Sequence, residues 1–164
     1  MGNRLKVIVL GLAAVFFASC DDTTFQRSVP AYPVHAEINT KTEFVDFLPT
    51  NTNAYITMNG DGYYENGRFV KVTSVLDRWG YGGIVVYVSM MGYVAFDLGC
   101  PYCAAHGIKS PCEMDGISAV CPICGEEYEL ALGYATPQKG ISKETLRPLN
   151  CMPQGDKLVI TQRP

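Results

Sequence analysis

"GYVAFDLGCPYCAAHGIKSPCEMDGISAVCPICGEEYEL", residues 92–130, holds five of the chain's seven cysteines. It opens on an apolar run that reads as a strand and closes on "EYEL", which reads as another. Between them stand two knuckles of one form, CPYC and CPIC. Two residues between thiols let a tight turn aim both sulfurs at one point. Two such knuckles facing each other make a tetrahedral all-thiolate site. Seventeen residues separate Cys103 from Cys121, which leaves Cys100, Cys103, Cys121 and Cys124 at the spacing of zinc sites. Proline after the first cysteine of each pair, and Gly125 after Cys124, suit the turn. The same four thiolates suit iron or a [2Fe–2S] cluster. In an oxidising compartment they could instead form disulfides, or one pair could act as a catalytic dithiol.

Two further cysteines, Cys112 and Cys151, lie outside both knuckles and are candidates for a disulfide. His106, three residues after Cys103, is a candidate additional ligand and otherwise a loop histidine. His35 falls on a predicted strand and reads as an ordinary surface or core residue.

Outward from this segment the chain reads as short strands. "GGIVVYVSM" is a β-branched run suited to a central strand, with Ile84, Val86 and Val88 on one face and Val85 and Tyr87 on the other. "GYVAFDL" pairs with it across "MMG". "VHAEI" alternates as a half-buried strand should, "AYITM" ends at the turn signal Asn59–Gly62, and "RFVKVTS" alternates again. "TLRPL" and "DKLVITQ" supply the last strands. One helix is expected, over Thr40–Leu48, with Thr40 as cap and Glu43 three residues on. The fold class is all-β, a small barrel or sandwich interrupted by two cysteine-bearing loops.

The N-terminus reads differently. Arg4 and Lys6 precede "VIVLGLAAVFFA", Val7–Ala18, whose twelve apolar residues fit a signal-peptide core and fall short of the roughly 20 a membrane span needs. "FFASC" resembles a bacterial lipobox, which implies that Cys20 is lipidated and begins the mature chain. An ordinary secretory signal with an incidental cysteine is the alternative. The expected organisation is a signal peptide over residues 1–19, a lipid anchor and tether over 20–32, and a β domain over 33–164. Asp21 and Asp22 after the anchor resemble the export signals of surface lipoproteins of the Bacteroidetes. The protein is therefore expected in the cell envelope, membrane-anchored on the periplasmic or surface side, at the outer membrane. A net charge of −3 and the lack of a basic run exclude an electrostatic nucleic-acid binder. No Ser/His/acid set, phosphate loop or carboxylate pair stands out, so catalysis has no named residues to rest on.

The order of the pieces resembles the Rieske [2Fe–2S] domain, over about Val34–Gln162 and most closely over Phe96–Leu132. In that family a strand leads into a cysteine loop, and a second loop of form "CPwHG" feeds a strand. Cys100 and Cys121 match the two loop cysteines. The second-loop histidine falls on Cys124, and the first-loop histidine falls on Tyr102, with Cys103 one step further. The chain is similar to degenerate, Bacteroidetes-type envelope lipoproteins in which cysteine replaces the ligand histidines. The resemblance implies the fold. For function it leaves a structural zinc site in a non-catalytic lipoprotein, electron transfer with an unidentified redox or envelope partner, or a disulfide-stapled binding domain.

Overall fold

The computed structural model describes residues 26–40, 53–59, 62–65, 68–70 and 78–163. The signal segment, Cys20, most of the expected helix after Thr40 and the end of "RFVKVTS" lie outside the described residues. The strands are β1 (Val34–Asn39), β2 (Tyr55–Asn59), β3 (Gly62–Glu65), β4 (Arg68–Val70), β5 (Arg78–Trp79), β6 (Ile84–Ser89) and β7 (Gly92–Asp97). After the cysteine region's short helix α1 (Pro101–Ala105) come β8 (Glu113–Asp115), β9 (Ser118–Val120), β10 (Glu127–Glu129) and β11 (Thr136–Lys139), then β12 (Arg147–Gln154) and β13 (Lys157–Thr161). Among the described residues no helix is long and apolar enough to cross a membrane.

The strands β4-β3-β2-β6-β7-β12-β13-β1-β5 form one sheet in that order. β1 and β2 stand far apart in it, yet Val34, Ala36 and Ile38 share one core with Ile56 and Met58. That is achieved by rolling the sheet, and the result is a nearly closed all-β barrel. Its interior is filled by side chains at alternate positions, as the pleat requires. On β1 Val34, Ala36 and Ile38 point in while His35 and Glu37 point out.

β6 is buried along its whole length because both its faces are covered. Ile84, Val86 and Val88 enter the barrel core. Val85 and Tyr87 point the other way, into a second core with Phe96, Leu98, Ala119, Tyr128 and Leu130. This second core lies beneath a small sheet of order β11-β10-β9-β8. Only β10 of that sheet matches an expected strand, "EYEL"; β8 and β9 occupy a segment expected to be loop. The turn that folds β8 onto β9 is carried by Gly116, whose φ of +60° a side chain adopts with strain.

The N-terminal boundary also differs from expectation. Val29 is buried at 1% exposure. The Arg147 guanidinium donates to the Val29 carbonyl at 3.1 Å, and the Ser28 N–H donates to the Glu144 carboxylate at 3.1 Å. Residues 28–32, expected to be tether, therefore strap onto the barrel, with Tyr32 edge-on to Tyr81 at 5.5 Å.

Candidate metal centre

Each knuckle is shaped by local backbone chemistry. Cys100 is the extended residue before α1, and Pro101 takes the first helical position, where its fixed φ fits and its missing N–H costs nothing. The Ala104 N–H then returns to the Cys100 carbonyl at 2.9 Å, and Gly107, at φ +74°, lets the chain turn out of the helix. In the second knuckle the Gly125 N–H bonds the Cys121 carbonyl at 2.9 Å, and Gly125 takes φ +73°.

The two knuckles meet. The sulfurs of Cys100, Cys103, Cys121 and Cys124 all lie within 4.8 Å of one another. Cys100 Sγ is 3.6 Å from Cys124 Sγ, and Cys103 Sγ is 3.7 Å from Cys121 Sγ. A tetrahedron of thiolates about 2.3 Å from a central zinc has edges of about 3.8 Å. The spacing is thus that of one ion with four ligands. A [2Fe–2S] cluster interposes two irons and two sulfides between its thiolate pairs, and a spread of 4.8 Å does not accommodate it. A Rieske centre also needs two imidazoles. His35 lies outward on β1, and His106 is exposed, its Nδ1 2.7 Å from the Tyr102 carbonyl oxygen and its ring 4.4 Å from that of Tyr102. His106 therefore belongs to its own helical turn and not to the cysteine cluster. The donor set does not fit the Rieske cluster.

Cys112 and Cys151, the candidates for a bridge with each other or with a knuckle cysteine, are not paired in the structure. All six described cysteines are free. Cys151 packs against the barrel core and Cys112 lies in the second core with the knuckle cysteines, so the two are on different sides of the sheet. Burial pushes the Cys151 thiol up to about 12. Cys112, expected to lie apart from the four, is instead buried beside the knuckle cysteines in the second core. It arrives there because the Gly99–Pro111 bridge brings the chain back antiparallel to the first knuckle, with the Cys112 N–H on the Leu98 carbonyl at 2.7 Å.

These neighbours organise the sulfur charge. The Cys112 thiol, the Cys103 N–H, the Tyr128 hydroxyl and the Cys124 thiol hold the Cys100 thiol down at about 4, against the cost of its burial. Burial pushes Cys103 up to about 11 and raises Cys124 as well. One thiolate is stable here without a cation. Four require a cation to offset their charge, which is the coupling of metal binding to thiol ionisation. The Ser110 hydroxyl, 3.2 Å from Cys121 Sγ, and the Tyr128 hydroxyl, 3.7 Å from Cys100 Sγ, are placed to donate to the outer lone pairs of ligating sulfurs.

Two buried carboxylates fix the knuckles, and sequence reasoning missed both. Asp97 accepts from the Tyr81 N–H at 2.6 Å on one oxygen, and from the Gly82 and Gly99 N–H groups, each at 2.8 Å, on the other. Burial raises its carboxyl pKa, opposed by these three donors and Arg147. A side chain at Gly82 would meet the Gly99 backbone, so "GYGG" is needed for the close approach. Glu126 does the same for the second knuckle: one oxygen accepts from the Ile141 N–H at 2.6 Å and the Ser142 N–H at 3.1 Å. Each acid stands within three residues of a knuckle cysteine, and that adjacency was the available signal.

No protein-family model matches the sequence, and no curated protein matches it. Among solved structures the chain is similar to one described as the complex of reduced oxygenase and oxidized ferredoxin in carbazole 1,9a-dioxygenase. The identity is 14% over 68% of this chain and 82% of that one, with a TM-score of 0.39. Fold and site together define a small all-β barrel protein whose four clustered cysteines could hold a metal ion.

Proposed function

We propose that the protein is an envelope lipoprotein, anchored through Cys20, whose Rieske-like barrel carries one structural zinc ion on Cys100, Cys103, Cys121 and Cys124. The mutual approach of the four sulfurs within 4.8 Å is the observation that carries this reading. Four protein ligands leave no open position for a substrate, which favours a structural role over catalysis. A zinc ion there would tie α1 to the β9–β10 turn and hold the small sheet on β6. Its affinity falls with acid, because protons compete for the thiolates.

A single iron in the same four thiolates is the second reading, favoured by the same spacing and by the resemblance to an electron-transfer family. Metal analysis of the protein purified from its native envelope, with a visible spectrum, separates the two. One zinc per chain and no colour is the expected result. One iron with visible absorption would replace zinc by electron transfer. Absence of metal with fewer than six titratable thiols in the mature domain would return the stapled-domain reading. For the anchor, Cys20→Ala should release the domain from membranes or leave the precursor uncleaved; unchanged processing and fractionation would remove it.

A further inference from the structure

The end of the domain that carries the cysteine loops has an unusual rim. Ile123, inside the second knuckle, is 61% exposed; Ile141, whose N–H is held by Glu126, is 73% exposed; Ile108, whose N–H bonds Cys103, is 44% exposed. One large aliphatic side chain thus projects from each of the three loops around the site. Between them stand exposed lysines, Lys109, Lys139 and Lys143. Lys139 faces Glu127 across β10–β11, while Lys109 sits 5.4 Å from the Tyr81 ring centroid. Among the described residues neither Lys109 nor Lys143 forms an ion pair. Of the nearby acids, Asp97, Glu126 and Glu144 are engaged with backbone N–H groups, while Glu113, beside Cys112, is exposed.

The chain enters the fold at this same end. Val29 packs 3.2 Å from the side-chain position of Gly99, next to Cys100, and Ser28 is bonded to Glu144. Cys20 precedes Arg27 by seven residues, which reach at most about 25 Å when fully extended. Apolar side chains interleaved with cations, beside a short tether, match an interfacial lipid surface.

We propose that the cysteine-bearing end of the domain lies against anionic phospholipid, with Ile108, Ile123 and Ile141 entering the interface and Lys109 and Lys143 meeting phosphate headgroups. It rests on the anchoring read at Cys20. The opposite end also exposes apolar side chains, Met90, Met91, Leu132 and Tyr134, but the loops that carry them contain no lysine or arginine. The metal centre would then be shielded from solvent by the membrane it faces.

Single tryptophans report which end touches lipid. The full chain carrying Ile123→Trp, and separately Ile141→Trp and Met91→Trp, is mixed with phosphatidylethanolamine–phosphatidylglycerol vesicles whose acyl chains are brominated. Native Trp79 supplies the baseline. Strong quenching at 123 and 141 with none at 91 is expected. Lys109→Glu should weaken vesicle binding of the Ile123→Trp chain by about fivefold or more, as should phosphatidylcholine alone. Quenching at 91 only, or at none of the three, overturns the proposal, and the latter leaves the isoleucine rim to a protein partner. Mass analysis of the Cys20 peptide tests the anchor separately: an unacylated chain still quenched at 123 would remove the anchor and keep the membrane face.

Discussion

Asp97→Asn and Glu126→Gln are the same chemical change at the two knuckles, and the structure predicts different costs. Asp97 uses both oxygens: one takes the Gly82 and Gly99 N–H groups and the other takes the Tyr81 N–H. An asparagine keeps its carbonyl toward one set and must point its NH2 at a donor on the other side. At 1% exposure no water replaces the lost acceptor. A buried donor left unpaired costs about 1–3 kcal/mol, and the asparagine NH2 facing a backbone N–H places this case at the upper end, about 2–3 kcal/mol. Glu126 instead places its two shortest contacts, to Ile141 and Ser142, on a single oxygen. A glutamine retains both and gives up a longer 3.2 Å contact to Ser142 and the charge, about 1 kcal/mol. Urea unfolding of the metal-loaded chain measures both, and chelator competition should show faster metal loss in Asp97→Asn. Equal stability for the two variants, or a larger loss in Glu126→Gln, would refute the idea that the knuckles are held by these carboxylates in this geometry.

Ile84→Ala, at a fully buried position of β6, should cost about 2–5 kcal/mol by denaturant unfolding, without altering metal stoichiometry. Cys112→Ala should leave the metal bound, since Cys112 stands outside the four ligands; loss of metal would make it a ligand. Cys100→Ser should remove the metal and lower the unfolding midpoint. Acidification should release metal progressively as protons reclaim the thiolates, followed by a zinc-responsive dye; retention of the full complement through strong acid would count against thiolate ligation.

The barrel was legible because its strands obey the period-2 rule. β6 and β1 each declare their faces in sequence, and the split of β6 between two cores follows from its unbroken apolar run. The knuckles were legible because their spacing is a local property of a tight turn. What could not be read is non-local. Cys112 and Cys151 looked equivalent by position along the chain, yet the sheet separates them. Of the small sheet only β10 was legible, as "EYEL"; its partners β8 and β9 have three residues each, too short for alternation to register. Val29 looked like tether because one apolar residue among polar ones carries no pattern; its burial depends on Arg147 and Glu144, more than a hundred residues away.

The central claim is one ion in four thiolates, and X-ray absorption at the metal edge tests it most directly. The account predicts four sulfur neighbours at about 2.3 Å and no metal–metal scattering. A metal neighbour inside the sulfur shell of the next ligand pair, or nitrogen in the first shell, would contradict it, the first by restoring a binuclear cluster and the second by bringing in His106.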